Sequence, residues 1–354
     1  MPESQLRIAI VGATGAVGRE ALSLLAEAGH PASHVVPLAS SRSAGAPLPY
    51  GACTLRTSEL TSEALASCDA AIFAADAETA RRFAPQAAEY GCLVIDNSSA
   101  FRADPAVPLV IPEVNADALG SRSRLVANPN CSTTILLTAL EPIRRACGIT
   151  RIMVSTYQAV SGAGLAGIDE LREQTRAALE GRSVPSKVFP ESCAFNVFTH
   201  ESPIDLETGF NLEERKLINE TRRIWNTPDL EIIPTCVRVP VERVHSQSVS
   251  AELRSSIDAS SLRSLLARAP GLELIDDPAT GTFPTPLRAA GRNPIAVGRP
   301  RISVADQRIT ISLWICGDQL RKGAALNALQ ILDHMLGTTL AFDRGAHHAS
   351  PVES

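Results

Sequence analysis

The 354-residue chain lacks several features that would otherwise set its class. Nowhere do 18 apolar residues run together, so no segment has the length of a membrane-spanning helix. The amino terminus, MPESQLRIAIVGATGAVG, has no charged stretch followed by a long apolar one and does not read as a secretory signal. No basic run of the kind carried by nucleic-acid binders occurs, and the formal net charge is −5. The cysteines, at 53, 68, 92, 131, 147, 193, 236 and 316, form no C-x-x-C pair, which removes the usual zinc spacing and points to reduced thiols. These absences predict a cytoplasmic protein with no nucleic-acid or membrane partner and no metal. Internal repeats and low-complexity segments are also missing.

What is there is ordinary for a folded protein: 45% hydrophobic and 20% charged residues, in a chain long enough for two domains. The run LRIAIV at 6–11 is followed at once by GATGAVGREALSLLAEAG, in which apolar residues recur at helical period up to Gly29. Further strand candidates lie at 35–39, 70–75, 92–96, 109–111 and 125–127, with helical stretches such as 78–90 between them. This alternation predicts an α/β fold, a Rossmann-like doubly wound parallel sheet with both faces covered.

Past residue 131 the texture changes. RIMVSTYQAV, EIIPTCVRVPV, SVSAELRS and RITISLWICG are β-branched runs with alternation, typical of a mainly antiparallel sheet in a second, α+β domain. The expected division is a dinucleotide-binding domain over 1–130 and a second domain over 131–319. A helical pattern within 320–340 would return to cover the first sheet, and 341–354 would form a flexible tail. His347 and His348 in that tail read as solvated rather than as metal ligands.

Between strand and helix, Gly12-Ala13-Thr14-Gly15-Ala16-Val17-Gly18 places glycines where the backbone must turn tightly and approach a ligand, with helix-start amides facing a phosphate. The spacing is G-x-x-G-x-x-G, which gains force from its position after the first strand; the alternative is a purely structural turn. Gly12, Thr14, Gly15, Ala16 and Val17 are the candidate contacts. The second strand ends in LASSRSAG. Ser40, Arg42 and Ser43 offer donors and a positive charge where NAD sites usually carry an acid, which points to NADP; the alternative for Arg42 is a solvated loop residue.

The segment ANPNCST sets Cys131 between a helix-breaking Asn-Pro-Asn and a helical run with Ile135, Leu136, Ala139, Leu140 and Ile143 at helical spacing. Ser132 or Thr133 is a candidate cap. Cys131 would then sit at the positive end of the helix dipole, where a thiol ionises more easily; the alternative is a buried small hydrophobe.

With VGATGAVG, ASSRSAG, VIDNSSAFR, VPLVIPEVN, NPNCST, STYQAVSGAG, TCVRVPV followed by VHS, and KGAALN in register, the sequence resembles aspartate-semialdehyde dehydrogenase over nearly its whole length. The resemblance implies Cys131 as nucleophile, His245 as general base and Gln158 beside the cysteine. It implies Arg238 for the substrate carboxylate, Glu213 for its amino group, and Lys216 and Arg102 for phosphate. Glu213 and Lys216, at i and i+3, would equally make a plain surface ion pair. Ser161 and Gly162 would border the nicotinamide. A homodimer, or a dimer of dimers, through the second domain is also implied.

Three departures stand out. Asp318-Gln319-Leu320 replaces the family's Asp-Asn-Leu, so Gln319 would reach the nicotinamide amide from one methylene further out. AADAETARRFAP replaces a small glycine-serine loop that contacts the pyrophosphate, and Leu326 replaces a tryptophan. The function implied is NADP-dependent, phosphorylating interconversion of L-aspartate 4-semialdehyde and L-aspartyl 4-phosphate through a cysteine thioester, in lysine, methionine and threonine biosynthesis. The alternatives are the same chemistry on an N-acetyl-glutamyl substrate, which Glu213 disfavours, and a non-catalytic paralogue, which Cys131 and His245 disfavour.

Overall fold

The computed structural model describes residues 6–337; the expected tail, with His347 and His348, lies outside the described residues. The first half of the chain carries β1 (Ile8–Val11), β2 (Val35–Ala39), a hairpin of β3 (Pro47–Tyr50) and β4 (Cys53–Arg56), then β5 (Ser58–Glu59), β6 (Ala70–Phe73), β7 (Leu93–Asp96) and β8 (Leu125–Ala127). Six of these form one parallel sheet in the order β5-β2-β1-β6-β7-β8. Every residue of β1, β6 and β7 is buried, as continuous apolar runs require when helices cover both faces.

On one face the helices Ala16–Glu27 and Leu326–Leu336 share a core with Ile8, Ile10, Ile72 and Ile95. The helix Ala77–Glu89 covers Ala9, Val11, Phe73 and Val94 on the other. The strand expected at 109–111 is not one. Leu109 makes a single bridge to Ala127, and Ile111 already caps the short turn Pro112–Asn115. Prolines at 108 and 112 have no N–H and a fixed φ, so a ladder cannot extend past them.

The second sheet comprises β9 (Ile149–Gln158), β10 (Phe198–Thr199), β11 (Glu231–Arg238), β12 (His245–Leu253), β13 (Leu272–Leu274), β14 (Ile295–Ala305) and β15 (Arg308–Gly317). Its order is β10-β11-β9-β12-β15-β14-β13, antiparallel except at β11/β9 and β14/β13. The helix Cys131–Cys147 lies against it, with Ile135, Leu136, Leu140 and Ile143 in one core with Ile152, Val249, Leu313 and Ile315. At roughly 1.5–3 kcal/mol per fully buried side chain, that stripe anchors the helix firmly enough to hold its end in place.

Among the described residues no helix is long and apolar enough to cross a membrane. Two glycines carry the turn after β1. Gly12 has φ +80, and a Cβ on Gly18 would lie 2.3 Å from the Gly12 carbonyl oxygen. Gly18→Ala adds a better helix former, worth about 0.5–1 kcal/mol. The contact is with backbone that cannot rotate aside, so overpacking wins and the variant is expected to lose roughly 1–3 kcal/mol. Urea titration measures this; an unchanged midpoint would show that the turn is not closely packed.

Candidate active site

The loop before the long helix fixes the position of Cys131. The cap is Asn130 rather than Ser132 or Thr133: its Oδ1 accepts the N–H groups of Ser132 (2.9 Å) and Thr133 (3.2 Å), so the helix begins at Cys131 itself. A hydroxyl at 132 or 133 is already inside the first turn and is too late to cap it. The Asn130 amide nitrogen donates to Glu213 (2.8 Å), and its backbone N–H donates to Glu220 (2.6 Å). On the opposite side Gly323 makes room for the thiol, since a Cβ there would sit 2.8 Å from that of Cys131.

Cys131 is partly exposed, in a cleft of about 330 Å³. Burial nevertheless pushes its thiol up to about 11, and the Glu213 carboxylate adds to the rise, against Arg102, Lys216 and the Ser132 N–H. This corrects the expectation of an easily ionised sulfur. A helix end contributes about 0.3–1 kcal/mol, less than one pKa unit, and desolvation beside a carboxylate outweighs it.

Neighbouring strand ends deliver the rest of the site to this cleft. Arg238 ends β11 opposite Gln158, which ends β9; His245 begins β12, opposite Gly317 of β15, and Gln319 follows two residues later. His245 is fully buried, and burial pushes its imidazole down to about 3. Its Nδ1 accepts the Ala159 N–H at 3.0 Å, which leaves the ring proton on Nε2, a buried nitrogen with no partner among the described residues. Val244, just before it, holds φ +81, rare for a β-branched residue; the Gln319 Oε1 accepts its N–H at 2.8 Å. The other end of that amide donates to the Ser161 hydroxyl. Gln319 thus lines the Cys131 cleft beside Ser161 and Gly162 and braces the turn before His245.

Three cations line the cleft, each with a carboxylate. Lys216 meets Glu213 at 3.2 Å, Arg102 meets Glu220 at 3.3 Å and Arg238 meets Glu201 at 2.5 Å. Glu213 sits on the helix Leu212–Ile224, which starts with an Asn211–Glu214 capping box, and it is buried, not on the surface. Burial alone would raise its pKa, but Lys216, His200 and the Asn130 amide together hold it down at about 2. Gln158 donates to it as well, at 3.2 Å. Arg102 also donates to the carbonyls of Asn128 (2.9 Å) and Asn97 (2.6 Å). Glu201, Glu220 and the capping role of Asn130 were missed from sequence. Only Asn130 carried a signal, as an Asn directly before a helical run.

A second cleft, of about 500 Å³, opens at the carboxyl ends of β1, β2 and β6. Gly12, Thr14, Gly15, Ser40 and Arg42 line it, as do Glu59, Asp76, Thr79 and Arg82, which the sequence reading did not single out. Gly15 caps the helix Ala16–Glu27 with no side-chain hydrogen bond and no acid in the first turn, which suits a diphosphate. Ala16 starts that helix, and Val17 faces the Cys131 cleft, so the two clefts meet at one helix end. Ser43 lines neither; its carbonyl accepts the Thr57 hydroxyl at 2.5 Å. Ser161 and Gly162 line the Cys131 cleft. The 74–85 segment forms the start of the helix Ala77–Glu89, capped by Asp76 on the Thr79 N–H at 2.9 Å. Among the described residues no group of His, Cys, Asp or Glu is placed to hold a metal ion.

A family model described as "Semialdehyde dehydrogenase, NAD binding domain" matches residues 7–122, and one described as "Semialdehyde dehydrogenase, dimerisation domain" matches 140–322. The aspartate-semialdehyde dehydrogenase of Synechocystis sp. is 41% identical over 330 residues, 93% of this chain and 97% of that protein. That of Aquifex aeolicus is 42% identical over 331 residues, covering 92% and 97%. The crystal structure of aspartate semialdehyde dehydrogenase II from Vibrio cholerae, described as complexed with ASA, is similar with a TM-score of 0.89 and 41% identity, covering 94% of this chain and 98% of that one.

The Glu213–Cys131 coupling has a measurable sign. Below its pKa, a thiol is alkylated in proportion to its thiolate fraction. Glu213→Gln removes the carboxylate that raises the thiol pKa and frees Lys216, which lowers it. At pH 8 the Cys131 peptide, followed by mass spectrometry with iodoacetamide, is expected to react roughly tenfold faster, about one pKa unit. A rate that stays the same or falls would refute the coupling.

Proposed function

The chain belongs to the aspartate-semialdehyde dehydrogenase family, and on that premise we propose that it is an NADP-dependent, phosphorylating enzyme. It interconverts L-aspartate 4-semialdehyde, phosphate and NADP with L-aspartyl 4-phosphate and NADPH, working in the reductive direction towards lysine, methionine and threonine. A homodimer through the second domain goes with this reading. Its support is the description of the model matching 140–322.

Bound NADP would supply the hydride acceptor. Gly12, Thr14, Gly15, Ala16 and Val17 would hold its diphosphate at the uncapped helix end, Ser40 and Arg42 its ribose phosphate, and Ser161 and Gly162 would border its nicotinamide. Cys131 adds to the aldehyde carbon to give a thiohemiacetal. After oxidation it holds the acyl group as a thioester, which a phosphate oxygen attacks, returning the sulfur as thiolate.

His245 serves the substrate oxygen first. With Nδ1 accepting from Ala159, its Nε2–H is set to donate to that oxygen as charge develops on it. The general-base role expected from sequence requires the Ala159 contact to open, because Nε2 must first lose its proton. Glu213 receives the substrate ammonium, Arg238 its carboxylate, and Arg102 and Lys216 the phosphate. An N-acetylated substrate would bring no cation to the ionised Glu213. The single observation that carries this reading is one cleft lined by Cys131 at a helix start, by a His245 Nε2 with no partner among the described residues, and by both signs of fixed charge.

NADPH formation from the semialdehyde is expected to require phosphate and to vanish in Cys131→Ala; equal rates would overturn the assignment. In Arg42→Ala the KM for NADP is expected to rise roughly 10–100-fold, the worth of a charged hydrogen bond, with NAD turnover little changed. A parallel change for both nucleotides would remove Arg42 from the 2′-phosphate site.

A further inference from the structure

Arg238 is assigned above to the substrate carboxylate, yet its fork is already taken. Glu201 binds it through two contacts, Oε1 to Nη2 at 2.5 Å and Oε2 to Nε at 3.3 Å. Nη1 donates to the Ala159 carbonyl at 2.8 Å, and Nη2 meets His200 Nε2 at 3.1 Å. Of the five guanidinium hydrogens this leaves one, on Nη1, which cannot grip a carboxylate in bidentate fashion.

The three ion pairs of the cleft differ in how easily the acid can leave. Glu220 and Glu213 are 6% and 5% exposed and stand on one helix, where each also accepts from Asn130. Glu201 is 22% exposed and stands on the loop between β10 and the helix Leu212–Ile224, where Leu206 is 94% exposed. Arg238 itself is 2% exposed, at a strand end, and cannot move out to meet a ligand.

We propose that Glu201 is an internal competitor, a carboxylate that occupies the carboxylate subsite on Arg238 and that the substrate α-carboxylate displaces. This rests on the assignment of Arg238 in the proposed function. Displacement exchanges one carboxylate for another, so the buried guanidinium is never left unpaired and the charge of the cleft is kept. Glu201 is ionised in the pair: burial opposes this, but Arg238 outweighs burial and holds its carboxyl below the usual range. A ligand without a carboxylate does not make the exchange, so the internal acid lowers the affinity for carboxylates alone. The apparent affinity for a carboxylate is reduced by the fraction of molecules in which Glu201 has released the fork.

Calorimetric titration with L-2-aminobutyrate tests this without turnover, since the probe has the α-ammonium and α-carboxylate but no aldehyde. Glu201→Gln and Glu201→Ala are expected to bind it at least about threefold more tightly than the wild type. L-2-Aminobutyramide, which lacks the carboxylate, should bind all three proteins alike. Unchanged or weaker binding of the carboxylate by both variants overturns the proposal. Arg238→Gln separates the two claims. Wild-type affinity there removes Arg238 from the carboxylate site, whereas lost affinity there without a gain in the Glu201 variants sinks the displacement alone. A crystal structure of the unaltered protein with the probe reads the same question independently of variant folding: Glu201 turned out of the fork supports it, and Glu201 still bidentate on Arg238 contradicts it.

Discussion

The site depends on one residue, Asn130. Its carbonyl oxygen closes the first turn of the helix that begins at Cys131, its amide nitrogen holds Glu213, and its backbone N–H holds Glu220. Those acids in turn face Lys216 and Arg102. The residue that orients the nucleophile is thus the same one that fixes the charged groups around it. Asn128, two residues earlier, extends this frame to the helix Leu326–Leu336, since Asn327 donates to its side chain at 2.6 Å while Gly323 closes over Cys131. First sheet, second sheet and the helix Leu326–Leu336 therefore converge on the NPNC segment, and displacement of any of them would be felt at the sulfur.

Electrostatically the cleft is balanced rather than basic. Each cation that could bind an anion already faces a carboxylate, and the cost of this arrangement falls on the thiol, which is held protonated at neutral pH by burial and by Glu213. On the proposed role of Glu213, activation then has a natural trigger. A substrate ammonium meeting Glu213 would cancel the carboxylate that raises the thiol pKa, coupling nucleophile strength to the presence of the correct ligand. The low imidazole pKa of His245 has the same origin, burial beside Arg238, and keeps the ring neutral with its proton directed at the cleft.

Much of the fold was legible because burial on both sheet faces writes continuous apolar runs such as IAIV and AAIF, while the second sheet writes longer β-branched ones. What was not legible had separate physical causes. Leu109–Ile111 has the composition of a strand, but prolines on either side deny it a ladder. Cys131 has the sequence context of an activated thiol, but the carboxylate that opposes ionisation lies 82 positions away and is invisible to local reading. Gln319 lines the cleft where the motif puts it, but its engagement with Val244 and Ser161 was not legible, because it comes from a strained backbone that no motif encodes. Glu201 has no motif at all, and only tertiary contact shows what it faces.

The central claim is that Cys131, set by Asn130 at the helix start, carries the acyl group. The direct measurement is mass analysis of the acid-quenched protein after mixing with L-aspartate 4-semialdehyde and NADP in the absence of phosphate. An aspartyl adduct on the Cys131 peptide, formed together with a stoichiometric burst of NADPH, is the predicted result. NADPH production with that peptide unmodified, or with the adduct on another cysteine, would contradict the account.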